Sequence, residues 1–217
     1  MKNVIFVFLI ISLFSCPISS APFEVDLSAQ EACDIVEIIF KSNFSGGIAS
    51  ERNDIHYENY EFESVTYRER TFEWLVRYDL TDEGYYNVFG VEKEGSGIWD
   101  DRWSPVIFCV NKNNCEILSV QSGIRLAFTL SDFFSQNQTN LLTAKYRLLT
   151  KEADAILVSN IIFRSIFTND TYKSVTIKEN EQNYEWQILY SFDDCSIFKI
   201  HMAKGSLKIN HLEFLDR

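Results

Sequence analysis

The chain says nearly the same thing twice, and this constrains its fold more than any other feature. Phe72-Glu73-Trp74-Leu75-Val76-Arg77-Tyr78 is answered by Tyr184-Glu185-Trp186-Gln187-Ile188-Leu189-Tyr190. Just before these blocks, Ser64-Val65-Thr66-Tyr67-Arg68-Glu69 recurs as Ser174-Val175-Thr176-Ile177-Lys178-Glu179. Further upstream, Ile38-Ile39-Phe40-Lys41-Ser42 matches Ile161-Ile162-Phe163-Arg164-Ser165. Downstream, Ile107-Phe108-Cys109-Val110 matches Ile197-Phe198-Lys199-Ile200. Four blocks in one order predict two related structural units rather than one long irregular domain.

Each unit reads as one helix followed by strands. Ser28 and Glu31 have capping-box spacing, and Ala32, Ile35, Val36, Ile39 and Phe40 then recur at helical intervals. Ser45-Gly46-Gly47 ends that helix. Phe72 to Tyr78 alternates as a largely buried strand. In the second unit a helix opens at Thr150 and Glu152 and runs to about Phe167, with apolar residues almost all round. Strands follow near Lys173 to Glu179, Tyr184 to Phe192, Ser196 to Met202 and Ser206 to Phe214. The expected class is α+β, two related units each with one helix packed on an antiparallel sheet. The divisions are residues 1–21, 22–121 with an insertion at 79–106, a connector at 122–148, and 149–217.

The insertion sets the units apart. It holds Gly84, Gly90, Gly95 and Gly97, half of the eight glycines, and the run Trp99-Asp100-Asp101-Arg102-Trp103. Two tryptophans beside charged residues in a glycine-bordered loop are aromatic anchors for a partner, or fold back onto the sheet. Tyr85 to Val91 reads as an extra strand, Glu94 to Ser104 as a loop. Ser131-Asp132 in the connector reads as a helix start.

Residues 1–21 predict export. Met1-Lys2 is followed by ten apolar residues in the eleven from Val4 to Phe14, then by Ser15, Ser19, Ser20 and Ala21. That run is short for a membrane span, which needs roughly 20 apolar residues. Cleavage near Ser20 or Ala21 gives a secreted or periplasmic protein. Leu13-Phe14-Ser15-Cys16 offers the alternative of a lipid anchor on Cys16. The remaining Cys33, Cys109, Cys115 and Cys195 predict two disulfides in an oxidising compartment. Cys109 and Cys115 flank a polar turn, leaving Cys33 with Cys195; four buried thiols are the other reading.

The formal net charge of −11 and the lack of a basic cluster speak against nucleic acid as a partner. His56, His201 and His211 form no zinc-binding spacing, so neither a metal nor a cofactor is expected. There is no Gly-x-Ser-x-Gly elbow and no phosphate-cradling glycine loop. Asp193-Asp194 reads as a turn. Asn43-Phe44-Ser45, Asn137-Gln138-Thr139 and Asn169-Asp170-Thr171 fit the glycosylation sequon.

A starting helix that opens Ser28-Ala29-Gln30-Glu31-Ala32, followed by an antiparallel sheet whose turn reads Val110-Asn111-Lys112-Asn113-Asn114-Cys115-Glu116-Ile117-Leu118, resembles the PepSY domain. The family's turn carries Asp, Thr and Gly where this chain has Asn111, Asn114 and Cys115. Cystatin-like folds share the helix-on-sheet pattern, but Gln121-Ser122-Gly123 does not satisfy the cystatin signature. The resemblance implies a non-catalytic module of exported proteins, in some cases inhibitory or folding-assisting. The expected function is binding of an unknown protein or peptide, through Trp99, Asp100, Asp101, Arg102 and Trp103. The alternatives are a hydrolase with a carboxylate-lined cleft between the units and a structural surface lipoprotein.

Overall fold

The computed structural model describes residues 23–44, 56–89, 92, 105–122, 126–129, 148–149, 151–168 and 171–216. Residues 1–21, Cys16 among them, lie outside these, as do Trp99, Asp100, Asp101, Arg102 and Trp103.

Helix α1 (Ala29–Phe44) starts where the capping box requires. The Ser28 amide donates to Glu31 Oε2 at 2.7 Å, and the Glu31 amide donates back to Ser28 Oγ at 3.3 Å. One face then buries Ala32, Ile35, Val36, Ile39 and Phe40 completely. It packs on β1 (Tyr60–Arg68) and β2 (Glu73–Leu80), which lead to β3 (Val106–Asn111), β4 (Ile117–Ser122) and β5 (Leu126–Thr129). These five form one antiparallel sheet in sequence order. The second unit repeats the plan. Helix α3 (Glu152–Ile166) packs on β7 (Glu185–Ser191), in a sheet ordered β6 (Ser174–Asn180), β7, β8 (Ile197–Ala203), β9 (Ile209–Leu215). The α+β fold of two similar units, each a helix on an antiparallel sheet, is therefore the fold observed.

Three expectations change. Of the strand expected over Tyr85 to Val91, the described part, Tyr85 to Phe89, is helical: α2 (Asp82–Phe89) occupies the start of the insertion, and Gly90 and Val91 lie outside the described residues. Thr81 Oγ1 caps it by accepting the Gly84 amide at 2.9 Å, and Asp82 and Glu83 suit a helix N-terminus. Gly84 is required by space, because a Cβ there would overlap the Asn59 carbonyl group. Within the expected connector, Leu126–Thr129 adds the fifth strand. Helix α3 is also less enclosed than its composition suggests. Its buried face is Ala155, Val158, Ser159, Ile162 and Phe163, while Leu157 is exposed.

The likeness of the units extends to single hydrogen bonds. The Trp74 indole donates to the Leu27 carbonyl at 2.8 Å, and the Trp186 indole to the Leu149 carbonyl at 2.8 Å. The Leu27 amide donates to Lys112 O and the Lys112 amide to Phe72 O; the Leu149 amide donates to Lys204 O and the Lys204 amide to Tyr184 O. Phe72 and Tyr184 share a left-handed backbone (φ 55 and 52), as do Cys115 and Leu207 (φ 62 and 63). Each closes a hairpin loop without the glycine that position favours. Phe40 stands 5.0 Å from the Tyr78 ring, and Phe163 stands 4.5 Å from that of Tyr190.

This geometry also re-registers two of the matched blocks. Trp74 faces Tyr67 and Trp186 faces Glu179, so Tyr67 corresponds to Glu179 and not to Ile177. Trp74 faces Val110 and Trp186 faces Met202, so Val110 corresponds to Met202 and not to Ile200. Both blocks slip by two residues. Side chains on a strand repeat every two residues, so such a slip keeps each apolar residue on the core face and stays silent in the sequence.

The helices pack against each other, and one hydrophobic core runs through both units. Phe23 reaches from the first unit into the second, 5.6, 5.4 and 5.9 Å from the rings of Phe167, Phe198 and Phe214. The hairpin turns join the sheets reciprocally: the Ile117 amide donates to Ser206 O at 2.8 Å, and the Ile209 amide to Asn114 O at 2.9 Å. Ile117 corresponds to Ile209 and Asn114 to Ser206, so this contact has the self-complementary form of a two-fold interface.

Candidate peptide-binding cleft

That reciprocal contact leaves a cleft between the units. Its volume is about 630 Å³, within the usual range for ligand sites. Phe23, Glu24, Val25 and Asp26 form one wall, Ile209, Asn210, His211 and Leu212 the other, and Asn113 and Asn114 close one end. Successive side chains of an extended chain point to opposite faces. A cavity that touches four consecutive residues of β9 therefore lies at the strand's edge, against its backbone, and the Phe23–Asp26 wall is lined in the same edge-on way. Asp26 is held in an ion pair with Lys112, whose amine also lies 5.4 Å from the centre of the Tyr67 ring. Glu24 and His211 add a carboxylate and an imidazole to the lining.

A buried polar network supports the β9 wall. Glu185 is only 4% exposed. Its Oε1 accepts from His201 Nδ1 at 2.9 Å and its Oε2 from Asn210 Nδ2 at 3.3 Å. Burial alone would raise the Glu185 carboxyl, but the hydrogen bonds from His201, Asn210 and Gln187 outweigh it and hold the group below the ordinary glutamate value. His201 Nε2 is buried without a protein partner. His201 and His211, ten residues apart in sequence, face each other directly across β8 and β9, their rings 5.6 Å apart. Among the described residues no group of three His, Cys, Asp or Glu side chains is arranged to hold a metal ion.

Asp193-Asp194 is a turn, as expected. Asp194 Oδ1 accepts from the Ser196 amide at 2.9 Å and from Ser196 Oγ at 2.6 Å, and these bonds lower its carboxyl. The expected disulfides are not formed in this structure: Cys33, Cys109, Cys115 and Cys195 are all thiols. Cys115 belongs to the main core, whereas Cys109 alternates with the core residues Phe108 and Val110 and so points to the other face. A turn joins them in sequence while the sheet stands between their side chains. Burial raises both thiols, Cys115 to about 12. Cys33 packs partly buried against the core, and Cys195 is exposed in the β7–β8 turn. The Asn43 sequon is structural, since its amide nitrogen is buried and donates to Ile39 O at 2.9 Å and to Leu148 O at 3.0 Å. Asn137 and Asn169 lie outside the described residues.

Sequence reasoning placed a cleft between the units only in its hydrolase alternative and missed these lining residues, because the cleft is made from backbone edges rather than from a motif. The only available signal was the polar-apolar alternation from Ile209 to Leu215. No protein-family model matches the chain, nor does any curated protein or solved structure.

Proposed function

We propose that this chain is an exported, non-enzymatic binding protein that receives an extended protein or peptide segment in the cleft between its units. The observation that carries the reading is the lining by two runs of consecutive residues, Phe23–Asp26 and Ile209–Leu212, from different units. Such a lining presents main-chain donors and acceptors along a groove, the geometry an extended peptide needs. Export is supported by Met1-Lys2 and the apolar run to Phe14; no described helix is long and apolar enough to cross a membrane. The two units descend, on this reading, from one duplicated helix-on-sheet module, and the matched indole bonds of Trp74 and Trp186 support that descent. The capping box of α1 fits the PepSY resemblance, which also implies a binding role.

The test is titration of the protein, lacking residues 1–21, with a panel of extended synthetic peptides, read by amide hydrogen exchange. Slowed exchange at residues 23–26 and 209–212 is the expected result. Binding that protects only other surfaces sinks the reading, and hydrolysis of the bound peptide moves it to the hydrolase alternative.

A further inference from the structure

We infer that the ligand enters this cleft as an added antiparallel strand on the outer edge of β9, pairing its backbone with Leu212 and Phe214; this rests on the peptide-binding reading. The ladder fixes which backbone groups are free to do so. The Phe192 amide donates to Ser196 O and the Lys204 amide to Tyr184 O. In an antiparallel ladder hydrogen-bonded and non-bonded pairs alternate. The bonded pairs between β7 and β8 are therefore Tyr190–Phe198, Ile188–Ile200 and Trp186–Met202. The backbone of Ile197, Lys199 and His201 then turns to β9, where it meets Leu215, Glu213 and His211. The amides and carbonyls of Leu212 and Phe214 point the other way. Among the described residues, no strand pairs with that edge.

The first unit shows what such an edge accepts. His211, Leu212 and Phe214 correspond to Ser119, Val120 and Ser122 of β4. By the same alternation Val120 and Ser122 present outward groups, and these pair with Phe128 and Leu126 of β5. Among the described residues, sheet 1 thus carries a fifth strand on the edge that sheet 2 leaves open, and β5 is a template for the occupant. Phe128 lies directly opposite Val120, which is buried in the core. The added strand should therefore bear apolar side chains at two alternate positions, opposite Leu212 and Phe214, which themselves pack partly buried against the core. Polar residues should face His211 and Glu213. A cationic residue near the strand's end suits the wall that carries Glu24 and Asp26. The occupant is accordingly an alternating, apolar-polar extended segment of a partner protein.

The probe is the acetylated, amidated peptide Ile-Arg-Leu-Ala-Phe-Thr-Leu-Ser, which copies residues 124–131. Added in excess, it should slow exchange of the Leu212 and Phe214 amides. N-methylation of the peptide amide that copies Leu126 or Phe128 should weaken binding about tenfold or more, because each methyl removes a ladder bond and obstructs the approach. The same change at the copy of Ala127 or Thr129 should matter less than about threefold. On the backbone Leu212→Pro removes an outward amide, a change edge strands tolerate, and it should abolish binding with an unchanged circular dichroism spectrum, as Leu212→Val, which keeps the amide and an apolar side chain, should not. Equal sensitivity at all four peptide positions, with binding retained, overturns strand addition and leaves the peptide-binding reading standing. No binding by this peptide or by any member of the panel overturns both. A dimer in light scattering whose Leu212 and Phe214 amides are already protected makes a second copy the occupant and overturns the assignment to a partner.

Discussion

Trp74 and Trp186 make the same hydrogen bond in the two units, so replacing each by Phe compares one interaction in two environments. Both indoles donate to a leucine carbonyl at 2.8 Å. Trp186 is 6% exposed, whereas Trp74 is only partly buried. In Trp186→Phe the Leu149 carbonyl loses that donor where water has little access, which costs about 1–3 kcal/mol. The smaller ring gives up roughly 1 kcal/mol of buried apolar area. Lys204, 4.1 Å above the Trp186 ring, keeps an aromatic face but a weaker one, a further loss of about 0.5 kcal/mol. The expected total is roughly 2.5–4.5 kcal/mol. In Trp74→Phe the replaced side chain is itself partly exposed, so water can follow it to the Leu27 carbonyl, and the lost area is smaller; about 1–2 kcal/mol is expected. Urea unfolding followed by circular dichroism measures both, with equal m-values as the condition for comparison. A Trp74→Phe loss equal to or larger than that of Trp186→Phe would refute the claim that burial of the indole, rather than the bond itself, sets the magnitude.

The hairpin residues with left-handed backbone give a second comparison. Cys195 (φ 71) is exposed, so Cys195→Gly relieves strain without losing packing and should raise stability by about 0.5 kcal/mol. Leu207 (φ 63) is fully buried, so Leu207→Gly should cost about 2–4 kcal/mol despite the same relief; thermal melting reads both. The Glu185 carboxyl is lowered in the fold, so the unfolded chain binds the extra proton as pH falls. Its contribution is fully present above the ordinary glutamate value, about 4.3, and disappears as pH drops through the lower folded value. Glu185→Gln should therefore destabilise at pH 7, with the gap to the parent protein closing below about pH 4. A gap that persists unchanged at about pH 3 would count against the assignment.

The sequence carries some levels of this fold plainly and others not at all, and the division follows physical period. The α1 stripe of Ala32, Ile35, Val36, Ile39 and Phe40 is legible because a one-residue error in a helix rotates the face by about 100°, spoiling the pattern at once. Strand register is less legible, because a slip of two returns every side chain to its face; the Ser-Val-Thr and Ile-Phe matches mislead for that reason. Capping chemistry was readable at Ser28 and Glu31 but not at Thr81, where the helix is selected by tight packing of Gly84 on Asn59. The Cys109–Cys115 pairing failed on the same alternation that defines strands, since nearness along a hairpin does not put the two residues on one face. The candidate site belongs to the least legible level. Whether Leu212 and Phe214 offer their backbone outward depends on ladder parity set by Phe192, Ser196, Tyr184 and Lys204, and on what lies beyond β9. No side-chain pattern within β9 records either. The comparison of units supplies what periodicity lacks: the reciprocal bonds of Ile117 and Ile209 make β4 and β9 equivalent, and equivalence turns the β4–β5 pairing into a statement about the β9 edge. The likeness of the two units thus makes one half of the molecule the control for the other, and among the described residues the halves differ at β5, which has no counterpart beside β9.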